Sequence, residues 1–184
     1  HDQPHKDLRR ARGASQSIVP TTTGAAKALT KIFPDLEGKI GGSGIRVPVP
    51  DGSLTDITCY VKHQVSIEQI NKAFKNASNT NLKGILAYTE DPIVSVDVIG
   101  NPNSCLFDSL LTSVIGKMVK VVGWYDNEIG YSSRIIDLII FIGKKTPWKE
   151  IADRLREAVA NERMTFQGHR VKEKQQDKLK EEQK

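Results

Sequence analysis

The chain lacks the features that mark several common classes of protein. It has two cysteines, Cys59 and Cys105, with no CxxC pair and no histidine cluster beside either. A disulfide framework and a metal site are therefore not expected, and a reducing compartment is the default. No apolar run approaches the ~20 residues of a membrane span. The longest, Ile135 to Ile142, is interrupted by Asp137 and is interpreted as a buried helix.

A second absence concerns nucleotide binding. The glycine-containing stretches are widely spaced, and none forms a GxGxxG fingerprint after a predicted strand. The predicted elements also do not alternate regularly as β-α-β. The chain is therefore not expected to contain a Rossmann domain.

What is present is a globular composition with an uneven distribution of charge. The 184 residues are 38% hydrophobic and 27% charged, which suits one domain with an extension. The formal net charge is +5, and the segment from Lys144 onward carries most of this excess. A basic extension predicts an acidic partner, such as RNA or an acidic protein surface. The alternative is a solvated helix of mixed charge.

The order of predicted elements indicates an α+β fold. A helix should begin at Thr22 or Thr23 and end at Pro34, and a second should begin at a capping box of Ser66 and Gln69. Further elements are predicted as strands over 38–49, 53–62, 84–90, 93–100 and 118–126, and as a helix over 129–142.

The character of the chain changes after Lys145. Thr146 as N-cap and Pro147 at the first helical position predict a helix. An apolar stripe at helical spacing must pack on the parent domain or on a partner, and it consists of Trp148, Ile151, Leu155 and Val159. We therefore divide the chain into a domain over 1–143 and a charged helical extension over 144–184.

Five motifs in one order point to a known family. "PHKDLRRAR", "PTTTGAAKA", "IRVPVP", "LKGILAYTED" and "KVVGWYDNEIGYSSRIIDL" resemble the catalytic, C-terminal domain of glyceraldehyde-3-phosphate dehydrogenase, truncated at its N-terminal side. The resemblance covers about residues 1–143. It implies a large mixed, mainly antiparallel sheet with helices packed on one face.

The resemblance also implies site residues. Arg10, Thr23, Gly24 and Arg46 match the family's phosphate-binding residues, and Asn127 matches the residue that holds the nicotinamide carboxamide. Elementary chemistry agrees, because a helix start and arginine forks favour anions, and an asparagine amide can pair with a carboxamide. If the resemblance is set aside, Thr23 and Gly24 are interpreted as a helix cap. Arg10 is then part of an exposed face or of a subunit contact, and Asn127 is a turn residue.

The remaining candidate side chains carry less chemistry. Arg46, isolated between apolar residues, is expected to be half-buried with an anionic partner. Cys59 is interpreted as a core residue of its strand, and Cys105 as a loop residue without a catalytic role. Three stretches depart from the family pattern: "VPDGSLTD", "SCLFDS", and Gly123 in "GWYDNE".

The functional hypotheses follow from what the resemblance leaves out. The family's cysteine nucleophile, its histidine and its cofactor domain belong upstream of these motifs. No catalytic residue and no cofactor are therefore expected in this chain. NAD is expected only where the missing domain is supplied. The first hypothesis is a non-catalytic subunit recruited through its basic tail into a larger protein or RNA-containing assembly. An organellar assembly such as a mitochondrial ribosome would fit.

Two alternatives stay open. The first is a fragment of an active, phosphorylating, NAD-dependent glyceraldehyde-3-phosphate dehydrogenase of glycolysis, which would form a homotetramer in the cytoplasm. The second is a phosphate or sugar-phosphate sensor that uses the anion site alone. An intracellular location is expected under each.

Overall fold

The computed structural model describes residues 4–145, 147 and 149–159. These described residues fall into two compact units, one that ends at Gly130 and one that begins at Tyr131.

The first unit is built on a four-stranded sheet of order β3-β6-β5-β4. Its strands are β3 (Ser53–Tyr60), β4 (Leu86–Thr89), β5 (Cys105–Ile115) and β6 (Met118–Tyr125). The pairs β3–β6 and β5–β6 are antiparallel, and β4–β5 is parallel. The sheet is therefore mixed and mainly antiparallel, which confirms the predicted α+β class.

A separate two-stranded antiparallel ribbon precedes this sheet. It consists of β1 (Val19–Thr21) and β2 (Gly44–Arg46), with Val19 opposite Arg46 and Thr21 opposite Gly44. Between the two strands lie helix α1 (Ala25–Ile32) and a 3₁₀ turn, Pro34–Leu36. The pairing of β1 with β2 therefore brings together the two ends of the segment that contains α1.

Helix α2 (Ile67–Asn79) packs on one face of the sheet. The predicted capping box starts it, since Gln69 N donates to Ser66 Oγ at 3.2 Å and Ser66 N donates to Gln69 Oε1 at 2.8 Å. Phe74 of the helix stacks on the buried Phe107 of β5, with ring centroids 4.0 Å apart. The buried core of the sheet is completed by Leu86, Val98, Val119 and Val122.

Polar contacts fix the register of α2 on the sheet. Asn71 Nδ2 donates to the carbonyl of Ser109 at 3.0 Å, and Thr112 Oγ1 donates to Asn71 Oδ1 at 2.7 Å. Both partners lie in the irregular part of β5 between Asp108 and Ser113, where the register with β6 shifts.

Helix α3 (Ile129–Lys145) begins at the end of the first unit. Its apolar side chains are 40–58% exposed, so the interpretation of this run as a buried helix is wrong. The exposed residues are Ile135, Ile136, Leu138, Ile139, Ile140, Phe141 and Ile142. Residues 149–159 are also helical. Across the part of the chain that the structure describes, no helix is long and apolar enough to cross a membrane.

Other predictions differ from the structure in informative ways. Residues 93–100 form the 3₁₀ helix Ser95–Val98 and not a strand, because Asp97 Oδ2 accepts a hydrogen bond from Val94 N at 2.8 Å. Only Gly44–Arg46 of the predicted strand 38–49 is extended in a ladder. Cys105 begins strand β5 and is not in a loop, and Cys59 is exposed on the edge strand β3 and is not a core residue.

Candidate functional site

Arg10 is anchored to the end of β1. Its Nε donates to Thr21 Oγ1 at 2.6 Å, and its Nη2 donates to the carbonyl of Thr22 at 3.1 Å. Asp7 Oδ2 lies 3.7 Å from the same Nε. The planar guanidinium suits this geometry, because its donors form a fixed fork. Arg10 is thus held beside Thr22, the residue before Thr23.

Thr23 and Gly24 form the start of helix α1. Thr23 Oγ1 accepts a hydrogen bond from Ala25 N at 3.2 Å, and Gly24 is the N-cap. Both residues are exposed. The first backbone N–H groups of a helix have no partner within the helix, and the helix dipole makes this end favourable for negative charge.

Arg46 reaches the same region from β2. In an antiparallel pair, directly opposite residues project on one face of the sheet. Arg46 is opposite Val19, so it stands on the face of the ribbon that also carries Thr21, the partner of Arg10. Arg46 is exposed, so the prediction of a half-buried arginine is wrong. Its side chain has no hydrogen bond or ion pair to any residue that the structure describes.

The ribbon therefore places Arg46 on the face that also carries Thr21, which anchors Arg10 and lies two residues before Thr23. The close approach at its end is sterically tight: a Cβ at Gly44 would lie 3.2 Å from the Thr21 methyl carbon. We call Arg10, Thr23, Gly24 and Arg46 the anion cluster. It offers one anchored arginine, one arginine without a partner among the described residues, a helix start and a hydroxyl, and these are groups that suit an anion.

Asn127 lies in the turn between β6 and α3, and its amide is held at both ends. Ser53 Oγ donates to Asn127 Oδ1 at 2.5 Å, and Asn127 Nδ2 donates to Asp51 Oδ1 at 3.2 Å. Asp51 Oδ1 also accepts from Gly52 N at 2.6 Å. The predicted cofactor residue is therefore tied to the loop before β3, far from it in sequence.

Asp126 supports this turn from beneath. Its side chain is buried and accepts hydrogen bonds from Gly100 N at 2.8 Å, Ile129 N at 2.7 Å and Glu128 N at 2.8 Å. These bonds, led by the one from Gly100 N, lower the pKa of Asp126 below its ordinary value. The carboxylate starts helix α3 and ties it to the loop after Val98. We call Asp51, Ser53, Asp126 and Asn127 the turn cluster.

The predicted partner stripe is only partly within the described residues. Trp148 lies outside them. Leu155 and Val159 are 61% and 50% exposed, and Ile151 is half-buried. Their spacing places them on one face of the helical residues 149–159, and their role as a partner surface stays a prediction.

Sequence reasoning missed three residues of the turn cluster. Asp126, three residues before α3, is of a residue type that commonly caps a helix start, and the sequence analysis did not identify it. Asp51 and Ser53 have no local signal toward Asn127, because only the pairing of β3 with β6 brings them together, with Ser53 opposite Tyr125. No group of three or more His, Cys, Asp or Glu with the arrangement of a metal site is found among the described residues.

Comparison with known proteins identifies the domain type. The family model "Glyceraldehyde 3-phosphate dehydrogenase, C-terminal domain" matches residues 1–127. The chain is 55% identical over 145 residues to glyceraldehyde-3-phosphate dehydrogenase 2 of Streptomyces avermitilis, covering 78% of this chain and 43% of the relative.

Two further relatives give the same picture. The identity is 56% to the glyceraldehyde-3-phosphate dehydrogenase of Streptomyces coelicolor and 56% to that of Mycobacterium avium, over 78% of this chain in each case. The chain spans less than half the length of these curated relatives, 44% and 42% respectively. All of them are bacterial dehydrogenases by name, so the comparisons give no support to a ribosomal or mitochondrial assembly.

Proposed function

Because the chain belongs to the glyceraldehyde-3-phosphate dehydrogenase family by its C-terminal domain, we propose that it is the substrate-binding part of such an enzyme. In this role it acts in glycolysis as part of a phosphorylating, NAD-dependent dehydrogenase, and a homotetramer is the expected assembly. This is the alternative that the sequence left open, and the comparisons favour it over a recruited ribosomal subunit.

The anion cluster is the observation that carries this proposal. Arg10 is hydrogen-bonded to Thr21 and Thr22, and these contacts fix its position. Arg46, on the same ribbon face, has a guanidinium without a partner among the described residues, and the start of α1 adds backbone donors. An arginine fork and helix N–H groups recognise the phosphate of a sugar phosphate by charge and by geometry. The cluster binds and orients the substrate; it does not perform the chemical step.

Asn127 fits the cofactor that the family implies. Its amide retains one N–H and one oxygen lone pair beyond the contacts with Asp51 and Ser53, which is the complement of a primary carboxamide. In the complete enzyme, NAD would supply the acceptor for the hydride. The contribution of Asn127 is to hold and orient the nicotinamide ring. The nucleophile and the rest of the cofactor site are expected from the upstream part of the enzyme.

Phosphate-dependent thermal stability tests the anion cluster. Melting temperatures are measured with increasing inorganic phosphate, with chloride as the matched control for ionic strength. Binding to the folded state alone stabilises it by about 2.7 kcal/mol at a hundredfold excess over Kd. We expect Arg46→Ala to remove this rise, and the control Arg154→Ala, an exposed arginine paired with Glu150, to keep it. An equal rise in both variants would contradict the proposal.

A second candidate is the non-catalytic subunit of a larger assembly. It is favoured by the exposed apolar side chains of α3 and by Leu155 and Val159. The mass of the native protein and the size of its particle decide between the two. A 20.4 kDa chain in a large particle supports the subunit, whereas a chain of more than twice that mass in a tetramer supports the dehydrogenase.

A further inference from the structure

We propose that Asp51 and Ser53 are positioning residues that fix which way round the Asn127 amide faces its ligand. The inference rests on the proposed role of Asn127 toward a carboxamide and adds two residues to it. Neither residue belongs to the motifs by which Asn127 was identified.

The direction of the amide follows from the chemistry of its neighbours. The atom of Asn127 that faces Asp51 is the nitrogen, because Nδ2 is the donor end of the amide and Asp51 Oδ1 is an acceptor. The oxygen is then left for Ser53, whose hydroxyl rotates to donate. Asn127 Nδ2 to Asp51 Oδ1 at 3.2 Å and Ser53 Oγ to Asn127 Oδ1 at 2.5 Å match this assignment. A flipped amide would place two acceptors together at Asp51.

The two positioning residues lie at the start of β3, where the backbone has little freedom. Gly52, between them, has φ +86°, and a Cβ there would lie 2.6 Å from the carbonyl oxygen of Ser95. Gly52 N also donates to Asp51 Oδ1, which orients the carboxylate. On the other side, Asp126 holds the backbone beside Asn127 through the N–H groups of Glu128 and Ile129. Both halves of the contact are therefore held before any ligand arrives.

The spare N–H of Asn127 lies on the Asp51 side of its amide, and the spare lone pair lies on the Ser53 side. A planar primary carboxamide therefore meets a donor and an acceptor in one fixed order. Pre-orientation removes the cost of selecting one of two amide orientations on binding.

The spectrum of the Asn127 side-chain amide tests the proposal on the full chain. In ¹⁵N-labelled protein, an amide proton that is hydrogen-bonded to a carboxylate resonates downfield. The chemical shifts of the two Nδ2 protons should therefore be well separated. We expect Asp51→Asn to collapse most of this separation and Ser53→Ala to reduce it. Ser53→Thr, which retains the hydroxyl, should restore it.

The control is Thr55→Ala, a hydroxyl residue further along the same strand, which should leave the Asn127 protons unchanged. Unchanged backbone amide signals from β3 and β6 certify that each variant is folded. Asn127 signals that are identical in wild type, Asp51→Asn and Ser53→Ala would overturn the proposal.

Nicotinamide, added in excess, separates this proposal from the role of Asn127 itself. We expect it to shift the Asn127 side-chain protons in the wild type and to shift them less in Ser53→Ala. If nicotinamide has no effect while the variants move the resonances, the positioning holds and the cofactor role of Asn127 fails. If nicotinamide acts equally on wild type and Ser53→Ala, the positioning role is refuted.

Discussion

The anion cluster and the turn cluster serve binding in opposite ways. In the anion cluster, Arg46 is exposed and has no partner among the described residues, and Thr23 and Gly24 face solvent. In the turn cluster, Asp126 is buried and three backbone N–H groups bind it, and both ends of the Asn127 amide are bonded. The anion cluster leaves groups available for a charged ligand, whereas the turn cluster is ordered by the protein's own contacts.

The difference reflects what each region recognises. The charge of a phosphate attracts an arginine over several ångströms, so the arginine need not be held in one orientation before binding. A carboxamide is neutral and is recognised only by the direction of its donor and acceptor, so the group that meets it must be oriented beforehand. Substitutions in the turn cluster should therefore cost more stability than substitutions in the anion cluster.

The largest effect is expected at Gly52, which connects Asp51 and Ser53 of the turn cluster. Gly52→Ala combines a left-handed backbone with a contact to the Ser95 carbonyl, so we expect a loss of about 3 kcal/mol in the free energy of unfolding. Gly84→Ala is the matched control, because Gly84 has φ +78° but open space around its Cβ position; backbone strain alone costs about 1 kcal/mol. Urea denaturation measures both. Equal losses of stability in the two variants would mean that the Ser95 carbonyl moves away from the added methyl group, and that the segment around Gly52 is not tightly held.

The next effect concerns Asp126 and pH. Because the bond from Gly100 N and those from the start of α3 lower its pKa in the folded state, its contribution to stability is complete above the ordinary value of 3.8. That contribution is lost as the pH falls through the lower, folded-state pKa. We expect the melting temperature of the wild type to fall over this acidic range more steeply than that of Asp126→Asn. Superimposable profiles would show that Asp126 does not carry the acid sensitivity.

A smaller effect is expected for Arg10→Lys in the anion cluster. Lysine keeps the charge but cannot reproduce the simultaneous contacts with Thr21 and the Thr22 carbonyl, so stability should fall by about 1 kcal/mol. The stabilisation by phosphate should weaken without vanishing, since Arg46 remains. The melting temperature with and without phosphate measures both quantities. A larger loss than for Gly52→Ala would reverse the proposed ranking of the two clusters.

The smallest effect is expected at Thr23. Thr23→Val removes the acceptor for Ala25 N, which should cost about 0.5–1 kcal/mol. Thr23→Ser retains the hydroxyl and is the matched control. The comparison of their urea midpoints isolates the hydrogen bond from the change in shape. A neutral Thr23→Val would show that solvent replaces the hydrogen bond of Ala25 N at this exposed helix start.

Elements with local signals were predicted well. The start of α2 follows from Ser66 and Gln69, because both partners of the capping box lie within one turn. Strand β5 was not predicted, since its alternation is broken by the irregularity between Asp108 and Ser113. There the buried Asp108 accepts from Trp124 Nε1 at 3.0 Å, a partner that no local pattern identifies.

The candidate site shows the same division. Arg10, Thr23, Gly24, Arg46 and Asn127 are predicted from their motifs, and their binding roles stay predictions. The exposure of Arg46 was predicted wrongly, because its apolar neighbours Ile45 and Val47 are themselves exposed on a two-stranded ribbon. Asp51 and Ser53 were not connected with Asn127, since their contacts depend on the register of β3 against β6.

The sequence by itself determined the family, the α+β class and the capping box of α2, because these depend on ordered motifs or on residues close together. The tertiary structure alone decided which of those side chains meet. Strand pairing brings Thr21 beside Gly44 and Ser53 beside the turn at Asn127. Such contacts between distant segments depend on the register of whole strands, and that register is set by burial along the entire sheet.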